Sequence, residues 1–228
     1  MADLNLKYIA ENYIELEEIS RTVRLSVDKL HQLIEAKLIP EPSYIINSEI
    51  TISSSLNDSH KTTILRKYFP KNILELIKAN AENANADEFK TKFKEKLLSL
   101  LKNHDHKTFA YGNVFDENQK IDHNKAEEAL EEEWDYYCKG VYGICTINNN
   151  ENAIIEKEIA VKRILDFIEK KSAILTPEEK VKLEELNTEF NKVTSSFAPY
   201  QRELSSRGKY LDKLLKEFSL DELIQKYN

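Results

Sequence analysis

Two segments of this 228-residue chain concentrate the residue types that do chemistry. The first runs Trp134-Asp135-Tyr136-Tyr137-Cys138-Lys139-Gly140-Val141-Tyr142-Gly143-Ile144-Cys145-Thr146 and holds the single Trp and two of the four Gly. Trp134 and Tyr142 suit the wall of a ligand pocket, and Gly143 lets the backbone approach a neighbour closely. Cys145 is a nucleophile wherever a base lies within reach. The second segment runs Ser196-Phe197-Ala198-Pro199-Tyr200-Gln201-Arg202-Glu203-Leu204-Ser205-Ser206-Arg207. Pro199 interrupts a helix there, having no N–H to donate, and Ser205 and Ser206 stand where the next helix starts. A helix N-terminus exposes free backbone N–H groups and positive dipole. Two hydroxyls and the guanidinium groups of Arg202 and Arg207 turn it into a carboxylate or phosphate site. Residues 199–216 carry five basic and two acidic side chains in a protein of net charge −7.

The expected ligand-binding set is therefore Trp134, Tyr142, Cys145, Arg202, Ser205, Ser206 and Arg207. Under that reading Arg207→Ala weakens anion binding and lowers the melting temperature by no more than about two degrees, as at ordinary surface positions. The competing reading is structural: aromatics packing a helix end, Gly140 as a C-cap, Cys145 as a small buried residue, and a Ser N-cap beside surface arginines.

Other candidates are thinner. His104, His106, His123 and Glu127 sketch a metal site, but no full ligand set follows a known spacing, and no metal is expected. The acidic run Glu127, Glu128, Glu131, Glu132, Glu133 and Asp135 reads as a solvated helix face. Lys157-Glu158 reads as surface charge. There is no Gly-rich phosphate loop, G-x-S-x-G elbow or dinucleotide fingerprint, so no cofactor is expected.

The elements that must position these residues are mostly helical. Ile14, Leu16, Ile19 and Val23 mark one short helix. After a break at Arg24-Leu25, Ser26 caps a second that carries Leu30, Leu33, Ile34 and Leu38. Pro40 and Pro42 end it. Tyr44–Ser53 is rich in β-branched residues, and Asn47-Ser48 is expected to turn it into a small hairpin. From Ser59 the pattern predicts helices near 59–68, 71–82, 86–103 and 123–138, with 104–122 as a connecting loop. Ile154, Ile155, Ile159, Ile164, Leu165 and Ile168 form one helical stripe. Thr176-Pro177-Glu178-Glu179 starts a helix with a capping box. Leu183, Leu186, Phe190, Val193 and Phe197 recur at spacings of three and four, a packing seam. Ser219-Leu220-Asp221-Glu222 predicts a second capping box and a final short helix.

Composition bounds the class. The chain is 41% hydrophobic and 32% charged, with 4 Gly and 5 Pro, which argues against a loop-rich β-sandwich. No run approaches the roughly 18 apolar residues of a membrane span, and the acidic N-terminus lacks a signal peptide's apolar region. Two Cys make no disulfide framework. The expectation is a cytoplasmic, mainly α protein.

Glu18-Ile19-Ser20, Val23, Ser26, Leu30, Glu35 and Leu38-Ile39-Pro40 resemble the helix-turn-helix of the MerR and excisionase superfamily. The chain departs from that pattern at Arg24 and Lys37, where glycine is preferred. The resemblance implies a module over 1–56, followed by a helical-bundle domain over 57–228. Residues 1–45 hold five basic against eight acidic side chains, so nucleic acid is not expected as a partner, and the module reads as a structural or protein-binding helix-turn-helix.

Across nearly the whole chain a second resemblance appears. Trp134; Gly140, Tyr142, Gly143 and Cys145; Ile154, Lys157 and Glu158; Phe197, Ala198, Pro199 and Arg202; and Ser205, Ser206 and Arg207 are similar to the pattern of a bacterial family, domain of unknown function 6058, often labelled a natural product biosynthesis protein. Val141 and Gln201 depart from it. The resemblance implies an accessory or small-ligand-binding protein of specialised metabolism, holding an anionic small molecule in a helical pocket. An enzyme using that pocket, a ligand-sensing transcriptional regulator, and a protein-interaction scaffold are the alternatives.

Overall fold

The computed structural model describes residues 3–82, 85–112, 114–116 and 118–227. The chain is mainly helical, with one small antiparallel sheet. Asp3 caps α1 (Leu4–Asn12), accepting hydrogen bonds from the Asn5 and Leu6 amides. Apolar spacing does not mark this helix, because only Tyr8 and Ile9 of it are buried. A three-residue strand, β1 (Tyr13–Glu15), takes up Ile14, so α2 begins only at Leu16 (Leu16–Val23). α3 (Val27–Glu35) follows, its Lys29 amide donating to the Ser26 hydroxyl at 3.1 Å. Arg24 (φ 58°) and Lys37 (φ 56°) adopt the left-handed backbone that glycine accommodates at less cost.

The segment 44–70 differs from expectation. Tyr44–Ser53 is a single strand, β2, that runs straight through Asn47-Ser48. Ser59–Pro70, where a helix is predicted over 59–68, is instead its partner β3. The two pair in unbroken register from Tyr44↔Tyr68 to Ser53↔Ser59. The physical reason is tertiary: Thr62, Thr63 and Ile64 are β-branched, and β2 offers them a full ladder that a lone helix cannot match. β1 joins the far side of β3 at Tyr13↔Pro70 to Glu15↔Tyr68, giving the order β1-β3-β2. The domain boundary expected at 56/57 falls in the turn between β2 and β3.

The remaining helices are α4 (Ile73–Asn80), α5 (Ala86–Asn103), α6 (His123–Cys138), α7 (Val141–Cys145), α8 (Glu151–Lys170), α9 (Pro177–Val193) and α10 (Lys213–Glu217). The Thr176 capping box forms: the Glu179 amide donates to Thr176 Oγ1 at 3.2 Å, and the Thr176 amide donates to Glu179 Oε2 at 2.9 Å. The second box does not. Ser219 takes a left-handed φ of 56° that ends α10, and only a 3-10 turn, Asp221–Leu223, follows. Among the described residues, no helix is long and apolar enough to cross a membrane.

Among the described residues three larger apolar cores are joined by a fourth, smaller cluster of Tyr8, Ile9, Tyr13, Tyr44 and Ala198. Leu16, Ile19, Leu30, Leu33, Phe69 and Ile77 fill the first. α5, α6 and α8 enclose the second around Phe93, Leu97, Trp134, Ile154 and Ile155. α8, α9 and α10 enclose the third around Ile164, Leu183, Phe190 and Leu215. Gly140 and Gly143 lock the first unit to the second. The Glu41 amide donates to Cys138 O at 2.7 Å and the Ser43 hydroxyl to Gly140 O at 2.9 Å. Gly140 has φ 70°, and a Cβ on it would collide with the Glu41 carbonyl. We expect Gly140→Ala to cost about 2 kcal/mol, from the left-handed backbone and the displaced loop. Thermal unfolding should then show a midpoint about 4–8 °C lower; an unchanged midpoint would mean that the 41–43 loop is not held there.

Candidate functional site

The two chemistry-bearing segments do fold against each other: Phe197 shares the second core with Tyr142 and Cys145, and hydrogen bonds at the segments' edges add to the contact. Ser195 Oγ donates to the Ile144 carbonyl, and the Ile147 amide donates to Val193 O at 3.1 Å. The Arg207 Nε–H donates to Ser195 O at 3.1 Å. At this junction lies a cavity of about 410 Å³. Gly143 and Thr146 line it from the first segment, Ser196 and Arg207 from the second, Asn191 from α9, and Tyr8, Tyr13 and Lys71 from the N-terminal unit. Gln225 and Tyr227 close it. Two cations, Lys71 and Arg207, line this cavity, and among the described residues no Asp or Glu does, although the Glu11 carboxylate accepts from the lining Tyr227 hydroxyl at 2.6 Å. A second cavity of about 620 Å³ adjoins it, sharing Ser196 and Tyr227. Its lining includes Arg202, Lys209, Lys213, Lys216 and Lys226 against Glu203 and Asp212.

The two arginines differ in their charge balance. Arg202 grips Asp212 with two hydrogen bonds, Nε to Oδ2 at 2.6 Å and Nη2 to Oδ1 at 2.9 Å, and its Nη1 donates to Ser196 O at 2.7 Å. Its charge is matched inside the protein. Arg207 is only 2% exposed. It donates to Ser195 O, to Thr194 O and Oγ1, and to Asn191 Oδ1, and its guanidinium stacks 5.1 Å from the Phe190 ring. Four of a guanidinium's five N–H groups are used, all on neutral acceptors. Among the described residues no carboxylate lies within 4.0 Å of Arg207. Burial, and then the charge of Arg202, pull its pKa down to about 10, with Asp212 opposing. It is a buried cation at neutral pH without a directly bonded anion.

Ser205 caps the turn that carries Arg207: its hydroxyl accepts from the Gly208 amide at 3.1 Å and donates to Arg202 O at 2.7 Å. Ser206 makes no side-chain cap. The helix they precede is wound as a π-helix over Arg207–Asp212 before becoming α10. Trp134, Tyr142 and Cys145 are buried in the second core and line neither cavity. Trp134 stacks among Phe89, Phe93 and Tyr137. Burial pushes the Cys145 thiol up, with Lys157 opposing, so it is a thiol rather than a thiolate at neutral pH. Among the described residues no three His, Cys, Asp or Glu side chains converge as a metal set. His104 instead faces Glu156 at 3.3 Å.

A buried polar cluster beside this core departs from the sequence reading. Glu127 and Glu131 pair outward with Lys94, as a solvated face does, but Glu133 is only 7% exposed. Its carboxyl faces the Tyr111 hydroxyl without a well-directed hydrogen bond, and among the described residues Glu133 Oε2 and Tyr111 OH find no partner. Burial first, then the nearby charge of Glu158, push Glu133 up to about 8. Tyr111 sits at φ 53°, its amide donating to Glu158 Oε1 at 3.4 Å. Lys157 lies 5.8 Å over the Tyr142 ring. The signal was present: Ala126, Leu130, Glu133, Trp134 and Tyr137 make one helical stripe, with Glu133 on its buried side.

Residues 86–219, more than half of the chain, match the model of a family described as a family of unknown function, DUF6058. The chain belongs to DUF6058. No curated protein and no solved structure matches it. The DUF6058 region runs from the start of α5 to just beyond α10, so both chemistry-bearing segments lie inside it. The 410 Å³ cavity is built across its edges. Gly143 and Arg207 come from within the DUF6058 region, Tyr8, Tyr13 and Lys71 precede it, and Gln225 and Tyr227 follow it.

Proposed function

We propose that this DUF6058 protein binds an anionic small molecule in the cavity between its two motif segments. One observation carries the reading: Arg207 and Lys71 line a 410 Å³ hollow that no acidic side chain lines among the described residues. A buried cation with only neutral partners favours an anion that approaches it, because the low-dielectric surroundings strengthen the attraction. Asn12, Asn72, Asn148 and Gln225 supply amides around the same space and Tyr8, Tyr13 and Tyr227 supply ring faces, the mixture of a few polar groups and aromatic walls that orients small ligands. The ligand contacts are then Arg207 and Lys71. Arg202 and Ser205 hold the turn that presents Arg207, and Trp134, Tyr142 and Cys145 pack the core beside Gly143. The setting, accessory binding in bacterial specialised metabolism, rests on the family resemblance drawn from the sequence. The burial of Cys145 lends no support to a catalytic version.

Lys71 offers the clean test. It is exposed, and its ammonium donates to Glu11 O at 2.7 Å. Calorimetric titration with inorganic phosphate and with succinate should give saturable binding of at least one. Lys71→Glu should weaken that binding about ten-fold, one reversed charge near a partly desolvated anion. Its ligand-free melting temperature should stay within about a degree of the parent. Absence of binding by both anions, or identical affinity in Lys71→Glu, would remove the reading.

The α2–α3 pair fits a protein-contacting helix-turn-helix better than a DNA reader. α3 exposes Asp28, Gln32 and Glu35, and Arg66 of β3 is drawn 3.6 Å from Glu15.

A further inference from the structure

β2 is an edge strand. One side pairs with β3 along its whole length, and among the described residues no strand pairs with the other. Among the described residues no backbone N–H or C=O of Ile45 to Ser53 has a backbone partner outside the β2–β3 ladder. Open edges are ordinarily blunted by Lys, Pro, a bulge or shortness. β3 follows that rule, with Lys61, Arg66 and Lys67, and β1 covers the base of its far side. β2 has ten residues, an unbroken register, no Pro and a single charge, Glu49. Ile45 is 59% exposed and Ile52 54%.

The pattern along β2 is symmetric about Ser48. Directly opposed residues of an antiparallel pair share a face, and a two-fold axis through Ser48 pairs positions equally distant from it. We propose that the open edge of β2 is a homodimer interface, two copies pairing antiparallel about a two-fold axis at Ser48. Ile46 then faces the partner's Ile50, and Ile45 faces the partner's Thr51, β-branched against β-branched. Asn47 faces the partner's Glu49, an amide that donates to a carboxylate. Moving the axis by one residue spoils the match. At Glu49 it sets two like charges directly opposite, which is destabilising. At Asn47 it sets Ile45 against the partner's Glu49 and Ile46 against the partner's Ser48. The interface of about seven positions per copy is small, so the dimer is concentration-dependent.

Sedimentation equilibrium of the full chain should show the mean mass rising from 26.6 kDa at about 1 µM towards twice that at about 300 µM. Ile50→Lys, with its circular dichroism unchanged, should raise the dissociation constant at least about ten-fold. Under mild oxidation Ser48→Cys should cross-link to its own copy at least about ten times faster than Asn47→Cys or Glu49→Cys, because opposed Cα atoms lie about 4.5–5.5 Å apart only at the axis. A mass that stays monomeric at about 300 µM, equal cross-linking at the three positions, or a dimer indifferent to Ile50→Lys would overturn the proposal. So would a monomer whose hairpin variants lose affinity for duplex DNA, since the strand would then serve nucleic acid.

Discussion

Arg207→Ala unfolds this protein about 10–15 °C below the parent, a loss of about 4–5 kcal/mol. The sequence-level expectation of a small change rests on an exposed arginine, and the fold places this one at 2% exposure. Truncation strands Ser195 O, Thr194 O, Thr194 Oγ1 and Asn191 Oδ1 without their donor. Each buried acceptor left unmade costs about 1–3 kcal/mol, though neighbouring water recovers part of it through the adjoining cavity. The stacking on Phe190 and the packing of the side-chain stem are lost as well. Asn191→Ala, which removes one acceptor and leaves the guanidinium in place, should cost only about 1 kcal/mol. Thermal unfolding of the two variants measures the difference. If Arg207→Ala melted within two degrees of the parent, the guanidinium would be free to serve a ligand alone, and its hydrogen bonds would be worth little. The consequence for function is that Arg207 cannot be tested for binding by truncation, which is why Lys71 is the better probe.

Glu133→Gln gains stability over the parent as pH rises. The Glu133 carboxyl is pushed up to about 8, chiefly by burial, whereas an unfolded chain releases that proton near 4.3. Between those values the native state binds a proton that the unfolded state has lost, so stability falls as pH rises through the window. The contribution is whole below about pH 4 and gone above about pH 8. One proton over that interval amounts to about 4–5 kcal/mol as an order of magnitude. Gln cannot ionise and keeps the shape. The variant should match the parent near pH 5 and exceed it by about 8–12 °C near pH 9. Melting curves from pH 5 to 9 decide it. Parallel curves for the two proteins would mean that Glu133 stays ionised in the fold, with Lys157 as its partner.

How much of this was legible from residue order depends on the range of the interactions involved. Local rules served where a local interaction decides. Thr176 and Glu179 sit three residues apart and close their capping box without help from the rest of the chain. α5, α6, α8 and α9 follow from apolar spacing, since each needs only one buried stripe and its own hydrogen bonds. The rare glycines of the first segment were legible too: Gly143 stands where Ser43 and Pro70 come close, and Gly140 turns the chain left-handed after α6.

Long-range partners decided the rest. Ser59–Pro70 is a strand only because β2 lies beside it, and a ladder formed across a turn cannot be inferred from the composition of one side. Ser219 satisfies the letter of a capping box, but the end of α10 claims it first. Trp134, Tyr142 and Cys145 were chosen for their chemistry, yet side-chain direction sends them into the second core while the backbone of the same segment lines the cavity. Asp212 neutralises Arg202 and leaves Arg207 without a carboxylate, a division that depends on the π-helical winding between them. Residue order determined that two segments carry the unusual chemistry and that helices hold them. Tertiary structure alone decided which charge is cancelled and which is left facing a hollow, because pairing energies depend on distance and burial, and neither is a property of a sequence position by itself.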